Sequence, residues 1–272
     1  MSRVLEDPLA AARDALERHA WSEALELLEG ADREGALSAE ELELLGEAAW
    51  WVGRMDESIA ARERAFAGFL DAGQQARAGR VAFLLVRDHS MRLNHAAAGG
   101  WFRRGERLLE DKPESTEYGW LLVMRARNAH MKGDFDAAAQ LAAQAVEHAA
   151  TKGDADLQGV GLMYQGMVAV ARGEVDEGFG FLDEATVAAV GGELSPYWTG
   201  VVYCNTIATC AEIGDYRRAG EWTDAAKRWC ERQAISGFPG VCRVHRAEIM
   251  RLRGWWADAE LDAQRASTEL MD

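Results

Sequence analysis

The sequence predicts an all-α protein, a right-handed α-solenoid of about seven antiparallel helix pairs. Three observations carry this. The stretch "HMKGDFDAAAQLA" (130–142) returns in altered form as "AEIGDYRRAGEWT" (211–223). Small residues recur at fixed distances from the glycine of that stretch. No segment shows the sustained period-2 alternation, with β-branched residues, that a half-buried strand needs.

Gly133 serves as the anchor. Its equivalents along the chain are His19, Gly53, Leu93, Gly173, Gly214 and Gly254, and the successive steps are 34, 40, 40, 40, 41 and 40 residues. Five places after each anchor stand Ala24, Ser58, Ala98, Ala138, Gly178, Ala219 and Ala259. Twelve places after stand Ala31, Ala65, Gly105, Ala145, Ala185, Ala226 and Ala266. All are small, and two antiparallel helices approach closely only where side chains are short. Seven places before stand Ala12, Gly46, Val86, Ala126, Gly166, Ile207 and Ala247, small in most repeats. Two places after the anchor the residues are mostly bulky: Trp21, Met55, His95, Phe135, Val175, Tyr216 and Trp256. They are expected to plug the space that the small residues leave, which puts Trp256 in the core and leaves Trp255 as the candidate for exposure.

The anchor glycine supplies the positive φ that ends the first helix of a pair. Asp134 and Asp215 are expected to cap the second helix, and Ser38 with Glu41 matches a capping box. Taken in order, the units are 5–38, 39–78, 79–118, 119–158, 159–199, 200–239 and 240–272, within one array over 1–272. The first, with Pro8 in an opening helical turn and His19 in the glycine's place, is expected to act mainly as an N-terminal cap. The third has Leu93 where glycine is expected. "LLVMRARNAHMK" and "AAAQLAAQAVEHAA" read as helices, and turn-like stretches such as "EDKPESTEYG" and "VGGELSP" separate the units.

Of 272 residues, 49% are hydrophobic and 28% charged, ordinary for a soluble chain with ample core. A net charge of −15 repels phosphate backbones, so direct nucleic-acid binding by this segment is not expected. No apolar run approaches the ~20 residues of a bilayer span, and no secretory signal is visible. Cys204, Cys210, Cys230 and Cys242 fit no metal or disulfide pattern and are read as reduced core thiols of a cytoplasmic protein. The histidines lack H-x-x-x-H spacing. Phosphate-loop, dinucleotide-loop, zinc-protease and nucleophile-elbow motifs are all missing, so no catalytic residue, metal or cofactor is assigned.

The small residues, the turn glycine and the alanines resemble the pattern of tetratricopeptide repeats over about the whole chain. The standard period is 34, and the later units carry about six extra residues, enough for another helical turn or a longer connection. The resemblance implies that the first helix of each pair lines a concave groove. Mapped here, it assigns Glu40, Glu43, Glu47 and Trp50 to the groove. Arg80, Phe83, Arg87 and Ser90 come next, then Trp120, Met124, Arg127 and His130. Further on stand Met163, Tyr164, Met167, Cys204, Asn205, His245, Glu248 and Arg251. Arginine suits carboxylates and phosphates because its fork grips two oxygens. Trp120, Tyr164 and the methionines could pack apolar parts of a ligand. An acidic or amphipathic peptide, or a small anion, is the ligand this implies. Pairing of the arginines with neighbouring Glu and Asp is the alternative.

"ELLGEAAWWVGRMDESIAARERAF", "GEVDEGFGFLDEATVAAVGGELSP", "EWTDAAKRWCERQ" and "CRVHRAEIMRLRGWWADAE" resemble the helical-repeat regions of actinobacterial LuxR-type transcriptional regulators. That resemblance implies a non-catalytic sensor or interaction module, with a protein or peptide partner. A stand-alone adaptor or peptide receptor is the alternative, and a second copy of the chain is a further candidate partner. A reading frame continuing into a basic helix-turn-helix would favour the regulator.

Overall fold

The computed structural model describes residues 8–35, 37–233, 239–252 and 254–271. Among them are fourteen helices and no strand: α1 (Pro8–Glu17), α2 (Trp21–Arg33), α3 (Ala39–Trp51), α4 (Met55–Asp71), α5 (Gln75–Met91), α6 (His95–Leu109), α7 (Tyr118–Met131), α8 (Phe135–Lys152), α9 (Ala155–Ala171), α10 (Val175–Gly191), α11 (Pro196–Glu212), α12 (Tyr216–Gln233), α13 (Pro239–Leu252) and α14 (Trp256–Met271). The chain divides into two compact units, Met1–Leu121 and Leu122–Asp272. In the first unit α1 packs on α2, α3 on α4 and α5 on α6. In the second, α9 packs on α10, α11 on α12 and α13 on α14. The fold class is the expected all-α helical-repeat solenoid.

The turn inside every pair is the same object. His19, Gly53, Leu93, Gly133, Gly173, Gly214 and Gly254 all have positive φ, between 56° and 88°. Each donates its N–H to the carbonyl three residues back. The residue after each donates to the carbonyl five back, as Arg54 does to Ala49 at 2.8 Å, Asn94 to His89 at 2.8 Å and Trp255 to Met250 at 2.9 Å. This doubly bonded left-handed stop satisfies carbonyls that a helix end would leave bare. Leu93 and His19 occupy it despite their side chains, which crowd the carbonyl in this conformation.

The predicted small positions all lie in the helix contacts. The residues five, twelve and minus seven places from each anchor are buried in every repeat. At the α9–α10 crossing a Cβ on Gly166 would stand 2.6 Å from Leu182 Cγ and 2.7 Å from the Gly178 carbonyl oxygen. Backbone there faces backbone. The bulky plug is a correction. Of the seven residues two after the anchor only Trp21 is buried, while His95 and Trp256 are exposed, Trp256 at 73%. Each is the first residue of its helix. A helical Cβ leans toward the N-terminus, which at that place carries the side chain to the turn rather than into the crossing.

The extra residues of the later units mostly lengthen helices. α3 has 13 residues, whereas α4, α5, α9, α10 and α11 have 17 each. The stretch 110–117 between α6 and α7 is the exception, a true longer connection. The caps hold as expected. Asp134 accepts from the Ala137 N–H and Asp215 from that of Arg218, and Ser38 with Glu41 forms the complete capping box. Pro8 opens α1. Cys210 is buried, and burial pushes its thiol up to about 12. Cys204 is half-buried, and the side chains of Cys230 and Cys242 lie outside the described residues.

Leu93→Gly should stabilise the chain. Its side chain is 76% exposed, so little packing is lost. Relief of the left-handed strain, about 1–2 kcal/mol, exceeds the added chain entropy of roughly 0.5–1 kcal/mol. Thermal melts should show a rise of a degree or more, and a fall would contradict the turn. Gly166→Ala should instead cost about 1–3 kcal/mol by overpacking, although alanine is the better helix former. A melting temperature at or above wild type would contradict the backbone contact.

Candidate functional site

The first helices of successive pairs carry the predicted groove residues. In the first unit α3, α5 and the start of α7 bring together acids, arginines and aromatics. Arg77 pairs with Glu40 and lies 3.7 Å from Glu43. The Arg80 guanidinium stacks over the Trp120 ring at 3.9 Å. The Arg87 guanidinium stacks over the Trp50 ring at 4.4 Å, and its Nε donates to Asp88 Oδ1 at 2.8 Å. Asp88 is wholly buried and is shared with Arg62, and Ser58 bonds to the Gly46 carbonyl beside it. Pairing with neighbouring carboxylates, the alternative left open by the sequence, therefore holds for Arg87. Arg80 is spent on an aromatic face, a contact worth about 0.5–2 kcal/mol. Trp120 is 5% exposed beneath it. This wall carries both signs of charge. Arg77, which the mapping passed over, is one of its central charges.

In the second unit the geometry differs. Arg127, on α7, is half-buried, and no carboxylate among the described residues pairs with it. It lies close enough to Tyr164, on α9, to oppose the rise of that phenol. Burial nonetheless pushes Tyr164 up to about 12, helped by Tyr197 on α11. Three successive first helices thus bring Arg127, Tyr164 and Tyr197 to one face. Tyr197 stands edge-on to Trp198 at 4.7 Å.

Glu43 and Tyr164 share a property. Each is crowded enough for its charged form to be disfavoured, yet each keeps accessible surface, 29% for the Glu43 side chain. For Glu43 the burial effect exceeds the pull of Arg80, Arg77 and Arg62, so its carboxyl sits above its ordinary value.

Other predicted residues lie elsewhere. Phe83 is buried and packs near Phe102, ring centroids 6.1 Å apart, and Met163 is wholly buried, so both belong to the core. Asn205 is half-buried and donates from Nδ2 to the Val201 carbonyl at 2.8 Å, within its own helix. His130 packs against Phe135 across the α7–α8 turn, centroids 5.8 Å apart. Arg251 is exposed in the last turn of α13 and lines a cleft with Trp256 and Glu260. The His245 side chain lies outside the described residues. Among the described residues no group of three or more His, Cys, Asp and Glu is placed to hold a metal ion, and no helix is long and apolar enough to cross a membrane.

Glu43 gives a pH test. Its raised folded value means that the folded chain holds a proton more readily than the unfolded one, so stability falls as pH rises from the ordinary value near 4.5. Glu43→Gln should melt above wild type at pH 7, and the gain should shrink on acidification below that window. A variant less stable than wild type at pH 7 would show that the arginine contacts outweigh burial.

No family model matches the chain, and no curated protein matches it in sequence. Solved structures do. A Rap protein complexed with competence and sporulation factor superposes with a TM-score of 0.70 at 11% identity, over 97% of this chain and 74% of that one. The Rap conjugation gene regulator of plasmid pLS20, in complex with the Phr* peptide, gives 0.65 at 12% identity, over 100% and 78%. A signal-transduction ATPase with a tetratricopeptide repeat sensor, from Pyrococcus horikoshii, gives 0.52 at 14% identity, over 91% of this chain and 43% of that one. At such identities the likeness is one of fold, and that fold is the tetratricopeptide-type helical repeat that the recurring turn and small residues imply.

Proposed function

We propose that the chain is a non-catalytic scaffold that binds a peptide or short protein segment on the face made by α7, α9 and α11. The observation that carries this is Arg127. A half-buried guanidinium that meets no carboxylate among the described residues is a site for an anion, because an arriving acceptor offsets its desolvation. Tyr164 and Tyr197 beside it offer aromatic surface and phenol hydroxyls. The ligand class that fits is a peptide with an acidic residue next to an apolar one. Its carboxylate would take the arginine fork and its apolar side chain the tyrosine faces.

In the finer reading this scaffold is the sensor or interaction module of a LuxR-type transcriptional regulator, supported by the sequence segments quoted above. The second reading, a stand-alone peptide receptor, is favoured by the likeness to a Rap regulator whose structure holds a peptide. Both readings use the same face.

Peptide display against the intact protein should select sequences that pair Asp or Glu with an apolar neighbour. Arg127→Ala should then weaken the best of them by roughly 2–5 kcal/mol, the cost of removing one partner of a desolvated charge pair. Unchanged affinity, or selection of peptides without acidic residues, would contradict this site.

A further inference from the structure

A cavity of about 440 Å3 opens between α10 and α12, on the row of second helices. That is the size of a small-molecule site. α11 packs on both helices, while α10 and α12 meet each other far less, so a furrow runs between them. Asp183 and Val190 line it from α10, and residues from Arg217 to Arg228 line it from α12.

The carboxylates of the lining are already matched. Asp183 Oδ2 accepts from Arg218 Nη1 at 2.5 Å, and Asp183 Oδ1 accepts from Trp222 Nε1 at 3.2 Å. Arg218 is held further by Asp215 at 3.4 Å and by the face of Phe179 at 4.3 Å. Glu221 pairs with Arg217 at 2.7 Å, one helical turn away. Arg228, the third arginine of the lining, is exposed and meets no carboxylate among the described residues. Three arginines against two carboxylates leave the lining with a positive excess, in a chain of net charge −15. The rest of the wall is apolar. Trp222 has spent its only donor on Asp183, so what it offers the cavity is ring surface. Ala225 is half-buried and Val190 exposed. Val187, exposed on the same helical face as Asp183 and Val190, lengthens that wall.

We infer that this cavity is a second binding site, separate from the α7–α9–α11 face, and that it takes a small apolar monocarboxylate. The single charge follows from the single unmatched guanidinium. A phosphate group, with nearly two charges, would need a second cation, and Arg217 and Arg218 are committed to their acids. The carboxylate takes the Arg228 fork. The apolar body lies along Val190 and Ala225 toward the Trp222 ring. Trp222 and Arg228 are six residues apart on α12, about 9 Å at the helical rise, which is the length of an acid with a phenyl group on a short alkyl chain.

The probe is phenylbutyrate, titrated into the intact, isotope-labelled chain. The readout is the indole N–H resonance of Trp222 in proton–nitrogen NMR, identified by its loss in Trp222→Phe. Phenylbutyramide, the neutral amide of the same shape, separates charge recognition from greasy contact. Arg228→Gln is the variant, and the exposed side chain keeps the fold out of the test. The expected result is a saturable shift of the Trp222 resonance, with a dissociation constant of about 1 mM for a ligand of this size. Arg228→Gln should weaken it by about fivefold or more, and the amide should give no saturable shift. A wild-type Trp222 resonance that does not move saturably overturns the inference, as does equal binding by the amide or by the variant. Saturable shifts at Trp198, beside Tyr197, with Trp222 unmoved would assign the acid to the α7–α9–α11 face, and overturn it too.

Discussion

Seven residues held at positive φ set the register of everything else in this chain. Each stops a helix with two backbone hydrogen bonds and aims the next helix back along the first. Once the reversal is fixed, the places five and twelve residues on, and seven back, must fall in the crossing. The first two are small in every repeat, and the third in most, because the crossing leaves little room. At Gly166 and Gly178 even a methyl group would meet backbone. Residues outside those places are free to carry charge, which is why a chain so acidic overall can hold local arginine clusters.

The same register decides what the first helices present. In the first unit the faces of α3 and α5 are complementary to each other, acid against base, with Trp50 and Trp120 beneath guanidinium groups. Arg62 and Asp88 extend that pattern into the interior. A buried pair of this kind adds little net stability but is costly to break, since either partner alone is a buried bare charge. In the second unit the corresponding face holds Arg127, a cation that meets no carboxylate among the described residues. The functional proposal rests on that asymmetry between two stretches of one repeat.

Much of the fold was legible in the sequence, because the turn and the crossing each impose a local constraint that residue type reveals. Gly53, Gly133, Gly173, Gly214 and Gly254 declare the turn directly. Leu93 and His19 occupy it without the expected residue, and spacing alone reveals them. The plug was misread because bulk was taken to mean burial, whereas the first residue of a helix points its side chain toward the turn. Individual site residues were less legible. Spacing places Arg80, Arg87 and Arg127 on equivalent helical faces, but whether a carboxylate or ring meets each guanidinium depends on the neighbouring helix. Asp88 adjoins Arg87 in sequence, yet its role as a buried hub for Arg62 is tertiary.

Native-state hydrogen exchange tests the shared turn most directly. The amides of Arg54, Asn94, Asp134, Glu174, Asp215 and Trp255 each donate the turn bond that reaches the carbonyl five residues back. All six should exchange slowly, with Asn94 protected like the rest although leucine precedes it. An Asn94 amide that exchanges at the rate of an open chain, while the others stay protected, would mean that the third turn is not the same object. The common register would then fail.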